Sequence, residues 1–204
     1  MMRKVIACLA LVAATASAPL TAQSSFGVVG GFASSKITIS GGGVSASFSS
    51  HSGFAAGVSM ATPINKDFEF APELLYIQKG SKFVDGSESA SLKLSYVELP
   101  LLFRAKFGSG ETRPFILAGP ALGVKASCKI NGTSGSVSVD ADCNDADFNV
   151  KSTDFGVMFG AGVAHQRFSA SVRYDLGLSN LSKDADPGTS AKNRSILVLL
   201  GVSL

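Results

Sequence analysis

The chain has 204 residues, 46% of them hydrophobic and only 16% charged, with 22 glycines, a mean hydropathy of +0.30 and a formal net charge of +3. The length suits one domain with a sizeable core, and nothing in so small a net charge points to a nucleic-acid or polyanion binder. No run of about 18 apolar residues follows the N-terminus, so no membrane-spanning helix is expected.

The N-terminus reads as a secretory signal. Arg3 and Lys4 precede the apolar stretch Val5 to Ala14, and small residues follow. Cleavage is expected after Ala18 or after Ala22; the second is preferred because the first would leave Pro19 at the new terminus. The expected division is a signal over residues 1–22 and one domain over residues 23–204. Removing the signal takes two of the 18 basic residues and none of the 15 acidic ones, leaving 16 against 15. Two of the three cysteines remain, Cys128 and Cys143. An even pair in an exported chain suggests a disulfide; the alternative, a metal site, lacks nearby His ligands.

Eight strands are expected. The first, near Ser25–Ser34, sets Phe26, Val28, Gly30 and Phe32 on one face, and the Gly- and Ser-rich stretch 35–52 follows. The second, Gly53–Thr62, aligns Phe54, Ala56, Val58 and Met60. After a short turn at 63–66, the third, Asp67–Gln78, opposes Phe68, Phe70, Leu74 and Tyr76 to Asp67, Glu69 and Glu73. A polar connection is expected from Lys79 to Ser91. The fourth strand, Leu94–Phe107, separates its residues most cleanly: Val97, Leu99, Leu101, Phe103, Ala105 and Phe107 alternate with Tyr96, Glu98, Pro100, Leu102, Arg104 and Lys106. Gly108–Arg113 is a tight turn into the fifth, Pro114–Lys125, with Ile116, Ala118, Leu122 and Val124 outward. The stretch 126–153 is the longest insertion. It holds both cysteines and an acidic run, Asp140 to Asp147, that lacks the spacing of a calcium loop. The sixth strand, Asp154–Ala164, and the seventh, Phe168–Ser179, meet across a minimal connection at 165–167. The stretch 180–192 leads to the eighth, Asn193–Leu204.

The connections alternate long and short. The apolar face of each strand carries no Asp, Glu, Lys or Arg, whereas the opposite faces carry Glu69, Glu73, Glu98, Arg104, Lys106, Lys125, Asp154, Arg173 and Asp175. Turning those charges into an apolar protein core would be very costly. A lipid-facing exterior around a polar, packed interior satisfies both faces, and the backbone must then pair completely, which requires a closed barrel.

The fragments Tyr96-Val97-Glu98-Leu99-Pro100-Leu101-Leu102 with Arg104 and Lys106, Pro72-Glu73-Leu74-Leu75-Tyr76, Arg113-Pro114-Phe115 with Ala118-Gly119-Pro120, Phe155-Gly156 with Gly160-Ala161-Gly162, and Arg173-Tyr174 with Gly177-Leu178 occur in an order that resembles the small outer-membrane β-barrel family, often labelled porin-like or PorT-like. The resemblance covers residues 24–204. It implies an all-β, eight-stranded, antiparallel up-and-down barrel in a bacterial outer membrane, surrounded by lipid and inserted by the barrel-assembly machinery. The chain departs from the usual pattern in ending on Leu204 rather than an aromatic residue, and in having no Trp for its interfacial belts.

The sharpest polar set is Glu73, Glu98, Arg104, Arg173 and Asp175. It reads either as a selectivity or proton-relay site or as an ion-pair network filling a narrow lumen. Acids and bases nearly balance, which favours the network over a pore of one sign, and an eight-stranded interior is just wide enough for side chains to fill. The expected role is structural, adhesive or interactive, through extracellular loops that could hold a ligand, with no enzyme activity and no cofactor. The rivals are a narrow porin and a lipid-modifying enzyme built on His51 and its serine-rich surroundings.

Overall fold

The computed structural model describes residues 24–41, 44–47, 49–85, 88–134, 137–143, 151–181 and 189–204; for 44–47, 83–85, 88–89, 133–134 and 137–140 it describes the backbone alone. The expected signal, residues 1–22, lies outside the described residues, as do Asp145 and Asp147.

Among the described residues the structure is all-β: β1 (Ser25–Gly41), β2 (Val44–Ser47), β3 (Ser49–Pro63), β4 (Phe68–Asp85), β5 (Glu88–Lys106), β6 (Thr112–Ser134), β7 (Val137–Asp142), β8 (Thr153–His165), β9 (Phe168–Gly177) and β10 (Ser190–Ser203). Eight of these form a ring in the order β10-β9-β8-β6-β5-β4-β3-β1, and every pairing is antiparallel. The ring closes between β1 and β10, in register from Gly27 opposite Ser203 to Ser40 opposite Ser190. The short strands β2 and β7 fold back on β1 and β6 above the ring.

The two faces have opposite chemistry because side chains alternate along each strand. Outward positions are apolar and open, among them Phe26 at 61% exposure, Val172 at 55% and Leu200 at 65%. The band runs from Val97 on β5 to Phe107 just past its end, and from Ile196 on β10 to Leu204 just past its end. A tilted strand needs about 9–11 residues to cross a bilayer, so the band matches the hydrocarbon thickness. Phe and Tyr supply the belts: Phe70 packs on Phe103 at the short-turn side, while Phe54 packs on Tyr76 and Phe159 on Tyr174 farther up.

Two features differ from the sequence expectation. The interior is mixed rather than polar, because Leu75, Ile77, Leu102, Leu117, Met158, Leu197 and Leu199 also point inward and pack together between the charges. The strands also run well past the band on the long-connection side. β4 continues to Asp85 and β6 to Ser134, where a connection was expected from Lys79 and from residue 126. Above the band the outer face meets water and turns polar, so hydrophobic contrast fades while backbone pairing continues, and the inner face stays buried around Leu94 and Cys128. A β-bulge between Ser95 and Tyr96 marks the change.

The lipid assignment of the outer face gives a direct test. Val172→Lys should destabilise the barrel by about 2–4 kcal/mol, the cost of a cation near the bilayer midplane. The measurement is urea unfolding of vesicle-folded protein, read by heat-modifiable gel mobility; an unchanged midpoint would contradict the assignment.

Candidate functional site

The buried charges of the lumen fall into two clusters. On β4 the inward residues run Glu69, Ala71, Glu73, Leu75, Ile77 and Lys79, so Glu73 and Lys79 lie roughly 20 Å apart along that strand with apolar side chains between them, whereas on β9 Arg173 and Asp175 take successive inward positions.

The lower cluster lies toward the short turns. Glu69 accepts from Arg104 Nη1 at 2.6 Å and pairs with Lys106 Nζ at 2.6 Å. Arg173 reaches across the lumen to Glu73 in a two-pronged pair at 2.6 and 3.1 Å, and its Nε donates to Ser171 at 3.1 Å. Bidentate geometry of this kind is among the stronger charge-assisted contacts. The Arg104 guanidinium lies 4.6 Å from the centre of the Phe115 ring. Glycines on β8 make this packing possible. A Cβ on Gly162 would fall 2.5 Å from Phe115, and one on Gly160 would crowd Arg173 and the Val172 carbonyl. Below these pairs a cavity of about 180 Å³ opens toward the turns, lined in part by Glu69, Glu73, Arg104, Lys106 and Arg173.

The upper cluster is organised by Lys79. Its ammonium pairs with Glu98, with Asp175 at 2.6 Å and with Asp154 at 3.7 Å, and sits 5.3 Å from the Tyr96 ring centre. Asn193 Nδ2 donates to Asp154 at 2.8 Å and Ser179 Oγ donates to its other oxygen at 2.6 Å. Lys79, Glu98, Asp154, Asp175 and Asn193 are all under 5% exposed. One ammonium thus faces three carboxylates, whereas below three cations face two. Among the described residues Glu98 Oε2, Asn193 Oδ1 and Tyr96 Oη have no hydrogen-bond partner, and Asp175 Oδ2 lies beside the ammonium without hydrogen-bond geometry. Above this cluster Ile37, Leu94, Tyr96, Leu181 and the Cys128–Cys143 disulfide, with a Cα separation of 5.4 Å, form a second apolar layer.

The structure therefore divides the five residues singled out from sequence. Glu73, Arg104 and Arg173 belong below, and Glu98 and Asp175 above. Arg104 contacts none of the other four by ion pair and takes Glu69 instead. The residue that sequence reasoning missed is Lys79, which it assigned to a connection. The signal was available: the inward parity of Glu73, Leu75 and Ile77 continues to Lys79. Residue 51 makes no side-chain hydrogen bond to a serine among the described residues. His51 is half-buried outside the apolar band, and burial, followed by Lys93 and Lys82, pushes its pKa down. Among the described residues no group of three or more His, Cys, Asp or Glu side chains is arranged to hold a metal ion.

Residues 17–183 match the model of the family described as outer membrane protein beta-barrel domain. No curated protein matches the chain. Solved structures with similarity include the attachment invasion locus protein Ail of Yersinia pestis, at 16% identity, covering 89% of this chain and 99% of that one with a TM-score of 0.46. Neisserial surface protein A is similar at 15% identity, covering 88% and 97% with a TM-score of 0.43. The outer membrane enzyme PagL is similar at 14% identity, covering 83% and 98% with a TM-score of 0.43.

Removing Lys79 leaves three buried carboxylates without a counter-charge. Lys79→Met should cost about 3–5 kcal/mol of stability, the usual penalty for breaking a buried pair. Adding Glu98→Gln and Asp175→Asn should restore part of that loss, because the orphaned charges go with the ammonium. The readout is the temperature at which the compact band disappears on unboiled gels; full stability of the single variant would contradict the role given to Lys79.

Proposed function

The chain belongs to the outer membrane protein beta-barrel domain family and is a protein of the bacterial outer membrane, and on that premise we propose that it is a closed, non-enzymatic envelope barrel that acts through the parts rising above the outer surface. The observation that carries this reading is the filled lumen. Two ionic clusters and two apolar layers occupy successive levels of a ring of eight strands. The ammonium at the upper level is 1% exposed and held by carboxylates from β5, β8 and β9 at once. A solute crossing the barrel would have to separate those charges without water to replace them, which costs several kcal/mol per ion.

With passage blocked, the surface left for function is the outer extension of the sheet. There β4, β5 and β6 continue as a paired wall, β7 adds to it, and the Cys128–Cys143 bond ties the wall to the end of β7. Such a wall offers a stiff platform for an adhesive or structural partner, and a stiff platform loses little entropy on binding. The lipid-enzyme alternative has less support, because His51, its candidate base, has no hydroxyl nucleophile bonded to it among the described residues.

Purified protein reconstituted in a planar bilayer should give a silent membrane under applied voltage. Steady single-channel steps of one amplitude would overturn the closed-lumen reading in favour of a narrow porin.

A further inference from the structure

The lower cluster of the lumen holds more positive charge than its own carboxylates use. Both oxygens of Glu69 are taken, Oε1 by Arg104 and Oε2 by Lys106, and both oxygens of Glu73 are taken by Arg173. Three cations thus share two carboxylates, and donors are left over. Arg104 keeps a buried Nε with no hydrogen-bond partner among the described residues. The Lys106 ammonium carries three N–H groups and meets a single carboxylate oxygen. A buried surplus of this kind is costly unless something compensates it. The acids farther out do not: Asp67 is held by Arg113 and Lys66, and Glu111 accepts from Gln166. Arg167 adds a further cation at the mouth of the cavity. Among the described residues neither Arg167 nor the carboxylate of Leu204 forms an ion pair.

These cations border open space. The cavity of about 180 Å³ opens toward the short turns, which face the periplasm in barrels of this class. Arg104 and Lys106 stand on β5, and β10 lies directly across the ring from it, flanked by β1 and β9. On that far wall the partly buried inward positions at this level are Ser25 on β1, Ser169 on β9 and Ser203 on β10, with Ser59 beside them on β3. None of the four hydroxyls makes a side-chain hydrogen bond among the described residues. Two glycines leave them room to turn: Gly27 stands opposite Ser59 and Ser203, and Gly201 opposite Ser169. A Cβ on Gly201 would fall 2.6 Å from Ser169 Oγ, and one on Gly27 would fall 3.0 Å from Ser59 Oγ. Above, Leu75, Leu102 and Leu199 belong to the apolar layer, so the space ends blindly inside the barrel.

We propose that this vestibule binds a small tetrahedral oxyanion of the phosphate type from the periplasm. The spare guanidinium and ammonium donors of Arg104 and Lys106 would meet it from one side through charge-assisted hydrogen bonds, and the serine hydroxyls would meet it from the other. A tetrahedral anion presents acceptors in all directions, which suits donors on opposite walls; a planar carboxylate presents them in one plane. Binding would supply the negative charge that the cluster lacks. The inference rests on the lower cluster and goes beyond the closed-lumen reading: conductance across a bilayer and retention of an anion are separate measurements, and either can fail without the other.

The test uses the full folded chain in neutral detergent, with inorganic phosphate as the probe. Calorimetric titration should show one saturable site per chain. Phosphate should also raise the temperature at which the compact band on unboiled gels is lost, beyond the effect of sodium chloride at equal ionic strength. Arg104→Gln should weaken phosphate binding about tenfold or more. Glu69→Gln should tighten it, because the change releases Arg104 and Lys106 to the anion; a purely structural cluster would give no such opposite shifts. Where either variant fails to fold, Ser169→Ala with Ser203→Ala, which disturbs no ion pair, should weaken binding about threefold. Absence of a saturable phosphate site, or unchanged affinity in the folded variants, overturns the proposal. So does acetate binding as tightly as phosphate, which would make the occupant a carboxylate.

Discussion

Backbone polar groups have no water to turn to inside a bilayer, and the whole architecture follows from satisfying them. An open sheet of eight strands would leave two edges unpaired in hydrocarbon, at several kcal/mol per group. The pairing of β1 with β10 removes both edges. That seam includes the last residue, whose amide donates to the Phe26 carbonyl at 2.8 Å. Once the ring is closed its diameter is fixed by strand number, and the interior must be filled by whatever side chains alternate inward. Closure thus decides both the greasy exterior and the crowded lumen.

Filling a narrow lumen with charge is tolerable only where every charge meets its opposite. The molecule does this by layers. Apolar side chains separate an acid-rich cluster around Lys79 from a base-rich cluster around Glu69 and Glu73. Each layer is held from several strands, so the ion pairs tie together strands that are not neighbours in the ring: Arg173 on β9 holds Glu73 on β4, across a hundred residues of sequence. Hydrogen bonds of the ladder connect only adjacent strands. The lumen contacts add the transverse ties that resist flattening of the ring.

What was legible in the sequence was the part governed by strict alternation against lipid. Val97 to Phe107 announces its two faces because hydrocarbon tolerates no charge, and the number and order of the ring strands follow from repeating that reading. Lys79 escaped because it lies at the upper end of its band, beside Gly80, Ser81 and Lys82, where polar residues on both faces erase the contrast that parity reading needs. The split of Glu98 from Arg104 was hidden for a different reason. Both point inward from β5, yet which inward residues meet depends on strand stagger, and stagger is set by closure rather than by any local run of residues. The glycine at position 160 illustrates the same limit: a glycine inside a barrel strand can make room for a large neighbour, but only register says which, and here it is Arg173.

The C-terminus can be understood in the same terms. Leu204 is 82% exposed at the lower edge of the outer face, beyond the end of β10. Nearby belt positions are held by Phe26, Phe68 and Phe168, all outward and more than half exposed. An aromatic side chain at an interface is useful for its amphipathic ring, and phenylalanine brings none of the polar tip that Trp or Tyr would add. This rim therefore depends on apolar bulk, which leucine also supplies. At this rim polar anchoring falls instead to charged side chains, with Asp67 between Lys66 and Arg113 and Glu111 accepting from Gln166.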